Sequence, residues 1–94
     1  MRAEYDRQAD VLSIDLIDAE RWDGAAVVDD DYCTVALLGE RAANVELIAP
    51  REHLNLLATA AERHGLDAQA LEAAAQSAIA APDRTVVLDV LTPA

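Results

Sequence analysis

Three consecutive carboxylates, Asp29-Asp30-Asp31, are the densest run of metal-seeking oxygens in the chain. With Asp6 or Asp10 they offer a divalent cation hard oxygen ligands. Calcium loops, however, space their ligands and place a glycine at the turn, and this run does neither. Adjacent like charges also repel in a packed ladder, so the run reads as a solvated turn. His53 and His64 fall on one predicted helix, eleven residues apart and so on nearly one face. That separation is about 16 Å along the axis, too far for one ion. His64 suits a last helical turn, where the dipole favours it. His53, beside Glu52, suits an exposed first turn.

The nucleophiles fare no better. Cys33 could pair with a distant histidine, but it alternates with Val35 and Leu37 on an apolar face, as a small inert hydrophobe. Ser13 sits mid-strand and Ser77 mid-helix, away from the strained turn that a hydrolase nucleophile uses. Asp15 and Glu46 project from strands toward the outer face, where paired carboxylates act as acid and base only if one is desolvated. No residue is assigned a catalytic, metal-binding or cofactor-binding role, and no cofactor is expected. Trp22, in the charged loop Glu20-Arg21-Trp22-Asp23, is the residue best suited to an interface. Its amphipathic ring fits equally well folded over one end of a sheet.

Composition narrows the function classes further. There is no lysine, so Schiff-base chemistry and a P-loop are excluded. The three glycines, Gly24, Gly39 and Gly65, lie too far apart for a dinucleotide-binding loop. One cysteine forms neither an intrachain disulfide nor a cysteine-based zinc knuckle. A net charge of -11, with scattered arginines, speaks against nucleic acid and suits either solubility or a basic protein partner. No apolar run approaches a bilayer span and Met1 opens no signal sequence, so a cytoplasmic protein away from membranes is expected. Roughly a fifth of the 94 residues are alanine. Such a core buries little bulky surface, which favours a homodimer or larger assembly.

The elements that must position these groups follow from periodicity. Ala3 to Tyr5 is a short strand, Asp6 to Asp10 a turn whose carboxylates can cap backbone N–H groups, and Val11 to Ile17 a second strand. In that strand Leu12, Ile14 and Leu16 point one way, Ser13 and Asp15 the other. Ala25 to Val28, Cys33 to Leu38 and a strand with Ala43, Val45 and Leu47 inward complete the set. Pro50 opens a helix with Leu54, Leu57, Ala58 and Ala61 as its stripe, stopped by His64 and Gly65. Asp67 caps a second helix, with Leu66 and Leu71 as a staple. Its narrow face is Leu71, Ala74, Ala75, Ala78 and Ile79, and Pro82 ends it.

Arg84 to Leu91 is the last predicted strand, and it is apolar on both faces. Val86, Leu88 and Val90 lie on one side, Val87 and Leu91 on the other. Such a strand belongs inside a sheet or against another chain, not at a bare edge. Val86, Val87, Leu88, Val90 and Leu91 are therefore, with Trp22, the candidate interface.

Tyr5-Asp6, Asp10, Leu12, Ile14 and Leu16 together resemble the opening of the small bacterial proteins grouped as domain of unknown function 2283. Val27-Val28-Asp29 and Asn44-Val45-Glu46-Leu47 resemble that family's later hairpin and strand. The likeness covers Met1 to about Leu54. Asn44 stands where the family usually has glycine, and the stretch Asp29 to Gly39 is longer than in the family. The resemblance transfers no catalytic or binding residues. Because some members are thought to be encoded beside small toxin-like proteins, it implies an antitoxin-like or partner-binding role.

Strands followed by helices predict a single α+β domain over residues 1–94. The expected architecture is an antiparallel β-meander of about five strands (1–49), a helical hairpin on one face (50–81) and a terminal strand (84–91). The expected function is a non-enzymatic, acidic, homo-oligomeric interaction module. The competing reading is a small carboxylate-based ligand or metal binder, or an enzyme, with its pocket between sheet and helices.

Overall fold

The strands form because apolar and polar residues alternate along them, and they stack into one antiparallel sheet because each then has one face to hide. The computed structural model describes residues 1–81 and, by backbone alone, 85–87. The strands are β1 (Arg2–Asp6), β2 (Val11–Asp15), β3 (Gly24–Asp29), β4 (Cys33–Leu38) and β5 (Arg41–Ile48). They are followed by helices α1 (Pro50–His53), α2 (Asn55–His64) and α3 (Ala68–Ala80) and a short segment β6 (Thr85–Val87). The molecule is thus α+β. No helix among the described residues is long and apolar enough to cross a membrane.

The strand order is β3-β4-β5-β2-β1-β6, with every pair antiparallel. This corrects the expected meander. A hairpin, β1–β2, is joined through β2 to a separate meander, β3–β4–β5. The cause is the connection after β2, too long for a tight hairpin turn. Its first residues stay beside β5, with the Leu16 and Ile17 amides donating to the Ala43 carbonyl at 2.8 and 3.4 Å. The chain then crosses to the far edge and re-enters at Gly24. This places β2, with its fully buried Leu12 and Ile14, in the interior of the sheet.

One face of the sheet is covered by the helices. Leu12, Ile14, Val35, Val45 and Leu47 from the strands meet Leu57 and Leu71 from the helices, all essentially without solvent contact. Ala3 on β1 and Ala60, Ala61, Ala74, Ala75 and Ala78 on the helices belong to the same buried cluster. Their small side chains let the helices approach closely, with α3 lying against β1 and β2 and α2 against β5 and β3. Of the stripe expected on α2, Ala58 is exposed and Ala60 takes its place.

That shift follows from a break in the helix. Pro50 to His64 is not continuous: Leu54 is a turn residue, and the Leu57 amide donates to the Leu54 carbonyl at 3.0 Å. The helix C-terminus is built as expected. Gly65 adopts φ 66 and its amide returns to the Ala61 carbonyl, a left-handed stop that glycine adopts without penalty. Asp67 Oδ1 accepts from the Gln69 and Ala70 amides at 3.0 and 3.2 Å, which caps α3. At its other end the Arg7 guanidinium donates to the Ile79 and Ala81 carbonyls. It joins the β1–β2 turn to the negative end of the α3 dipole.

β6 pairs with β1, Arg2 opposite Val87 and Glu4 opposite Thr85. Among the described residues it is the last strand in the order, so of the two places open to the predicted strand, inside a sheet or against another chain, it does not take the first within this chain. Arg84 and Leu88 to Leu91, the remainder of the predicted strand, lie outside the described residues.

Candidate functional site: the open face of the sheet

The face of the sheet away from the helices carries most of the chain's outward chemistry. Cross-strand register sets two rows on it. One runs Glu4, Ser13, Glu46, Thr34 and Val27; the other runs Arg2, Asp15, Asn44, Ala36 and Ala25. Asp15 and Glu46 do share this outer face, on adjacent strands but in different rows.

Asn44 organises the site. It is only 4% exposed although it sits on the outward face. Its side-chain nitrogen donates to Ser13 Oγ and to Asp15 Oδ1, each at 2.8 Å. A carboxylate only accepts, so the Asn44 nitrogen must be the end that faces Asp15. Both partners stand on β2. Both amide N–H groups are thereby used, which leaves the Asn44 carbonyl oxygen as the remaining polar atom of that side chain.

Beside Asn44 lies a shallow cleft of about 220 Å³. Ala25 and Ala36 give it a floor without bulky side chains, Thr34, Asn44 and Glu46 give it polar groups, and Trp22 forms a wall. Trp22 is 47% exposed. The residue after it fixes its loop. Asp23 receives the Gly39 amide on both carboxylate oxygens, at 2.9 and 3.2 Å, and the Asp23 amide donates to the Leu37 carbonyl at 3.0 Å. Gly39, at φ 64, takes the left-handed conformation that this turn requires. A second concavity, of about 150 Å³, lies over Arg2, Glu4, Ser13 and Asp15 on the same face.

The other candidates resolve into structural parts. Asp29 Oδ1 accepts from the Asp31 and Tyr32 amides at 3.0 and 3.1 Å, which makes the aspartate run a turn closed on its own backbone. Asp6 Oδ1 does the same for the Gln8 and Ala9 amides. Among the described residues no group of three or more His, Cys, Asp or Glu is arranged to hold a metal ion. Tyr5 Oη donates to Asp10 Oδ1 at 2.6 Å, and that bond, with burial, raises the Tyr5 pKa.

His53 is half-buried, not exposed. Its ring stacks on Tyr32 with centroids 3.8 Å apart, and its Nδ1 lies 3.0 Å from the Ala49 carbonyl. The break at Leu54 places His53 and His64 on separate helices. Cys33 is buried in the core, where desolvation, with Asp29 adding to it, pushes the thiol up to about 11. That thiol is a poor nucleophile at neutral pH. Ser77 is exposed on α3. Tyr5 and Cys33 are the titratable members of the buried cluster, so among the described residues no carboxylate belongs to the interior between sheet and helices.

Of the predicted interface residues, Trp22 lies on the open face. Val86 and Val87 are placed by backbone only, at the β6 edge, and Leu88, Val90 and Leu91 fall outside the described residues. Sequence reasoning missed Asn44 as the organiser. Its one signal was a hydrogen-bonding amide at an outward position of the strand, between the inward Ala43 and Val45.

No family model matches the chain, and neither the curated proteins nor the solved structures compared with it gave a match.

Proposed function

We propose that the protein is a non-enzymatic, acidic interaction module that works as a homodimer and takes a basic protein partner, in the manner of an antitoxin. The observation that carries the dimer is the place of β6. β6, which carries Val86 and Val87, stands at the end of the sheet order, and among the described residues only β1 pairs with it. An apolar strand at an edge is a template for pairing and is normally covered. A second copy meeting it edge to edge extends the sheet and shields the tail.

The partner's character is supported by charge. The net charge is -11, and on the open face Glu46 lines one cleft with Trp22 while Asp15 borders a second concavity beside Arg2. The likeness of β1 and β2 to the opening of domain of unknown function 2283 supports the same antitoxin-like reading. A cytoplasmic setting suits a chain whose single thiol is free and buried.

Light scattering on the full chain and on a chain ending at Pro82 tests this reading. The full chain is expected at twice the single-chain mass at micromolar concentration and the shortened one at the single-chain mass. A single-chain mass for the full chain would overturn the dimer, and twice that mass for both would overturn its route through β6.

A further inference from the structure

We infer that the cleft between Trp22 and Glu46 is a receptor for an arginine side chain of the partner protein. This rests on the reading of the chain as a module for basic partners, and it names the group recognised. The polar residues that line the cleft are Glu46, Asn44 and Thr34, which supply a carboxylate, an amide whose N–H groups are already bonded, and a hydroxyl. The Asn44 amide has spent both N–H groups on Ser13 and Asp15, so only its acceptor is left. None of the residues lining the cleft is a cation.

A ligand for such a site must donate and carry positive charge. The alanine floor and the Trp22 wall select its shape. A flat, weakly hydrated guanidinium lies against an indole face and forks its N–H groups toward a carboxylate, whereas an ammonium is a compact, strongly hydrated point charge. The Asp23–Gly39 bonds fix the chain next to Trp22, and the Ser13–Asn44–Asp15 bonds fix the Asn44 amide. Both reduce the ordering cost of association.

Titration of the full chain with a blocked Gly-Gly-Arg-Gly-Gly peptide tests this, read by calorimetry and by the emission of Trp22, the single tryptophan. Saturable binding is expected, with weaker binding of the lysine peptide. The neutral citrulline peptide and the Glu46→Gln variant are each expected to lose about tenfold in affinity, the scale of one hydrogen bond to a charged group. Trp22→Leu is expected to weaken binding and to erase the preference for arginine over lysine. Glu72→Gln, a charge removed from α3, is expected to leave affinity unchanged. Equal binding of arginine and citrulline peptides, or equal losses in Glu46→Gln and Glu72→Gln, would overturn the site. So would methylguanidine binding as tightly as the peptide, which would mark a small-molecule ligand. A halved mass of Glu46→Gln would assign the cleft to a second copy and also overturn the proposal. A dimer indifferent to the arginine peptide would sink the site alone, and a monomer that binds it selectively would sink the dimer alone.

Discussion

Asn44 Nδ2 lies 2.8 Å from Asp15 Oδ1, across the β2–β5 pair that joins the two halves of the sheet. The bond therefore links the hairpin β1–β2 to the meander β3–β4–β5 at their seam. Asn44 is buried and its two N–H groups are both used. Asn44→Ala removes both bonds and leaves Ser13 and Asp15 to turn to water in the concavity beside them. A loss of about 1–3 kcal/mol in unfolding free energy is expected from urea titration. Asn44→Asp sets a second carboxylate beside Asp15, and its penalty should be larger at neutral pH than near pH 4, where protonation relieves the repulsion.

The Tyr5–Asp10 bond closes the turn from one strand end to the next start, at 2.6 Å. Tyr5→Phe should cost about 1–2 kcal/mol. It should also alter the alkaline limb of stability. The Tyr5 pKa is raised in the folded state, foremost by its bond to Asp10. Its contribution is therefore complete below the ordinary tyrosine value and is lost as pH climbs through the raised one. Urea midpoints measured above about pH 10 should fall less steeply in Tyr5→Phe than in the parent.

Ala49 holds φ 49 between β5 and α1, a left-handed conformation that costs a side-chain-bearing residue about 1–2 kcal/mol. Its amide donates to the Asp10 carbonyl at 2.9 Å, which fixes it there. Ala49→Gly relieves the clash and keeps the amide. After the entropy that glycine loses on folding, a net gain of about 0.5–1 kcal/mol is expected in thermal or urea melts.

Cys33 makes a chemical prediction. Its thiol, raised by burial to about 11, should resist iodoacetamide at neutral pH in the native protein and react at an ordinary rate in urea. The sign of its linkage matches that of Tyr5. The protonated thiol supports the fold fully below its ordinary value of 9.0, and that support falls away as pH rises toward about 11. Rapid labelling of the native chain at neutral pH would show that the β4 face is open.

The α+β class was legible because period-2 and helical spacings do not overlap here. Cys33 to Leu38 and the inward set Ala43, Val45 and Leu47 could be read directly. Asp67 was legible because cap chemistry is local. Strand order was not, since Val11 to Asp15 alternates in the same way whether it neighbours β3 or β5. Only the path of residues 16–23 decides between them. The break at Leu54 was hidden because no glycine or proline marks it. It is tied instead to the left-handed Ala49 and to the His53–Tyr32 stack, neither of which has a sequence signature. The Trp22–Glu46 cleft depends on the same crossing loop, so its residues were visible singly while their meeting was not.

The amides of Thr85 to Val87 give the most direct test of the edge-to-edge dimer. Successive amides of a strand point to opposite sides, so some face β1 and the rest face the outer edge. Hydrogen exchange at these positions should show both sets protected at high protein concentration, with the outward set alone losing protection on dilution. Outward amides that exchange freely at every concentration, beside protected inward ones, would contradict the pairing of two copies through β6.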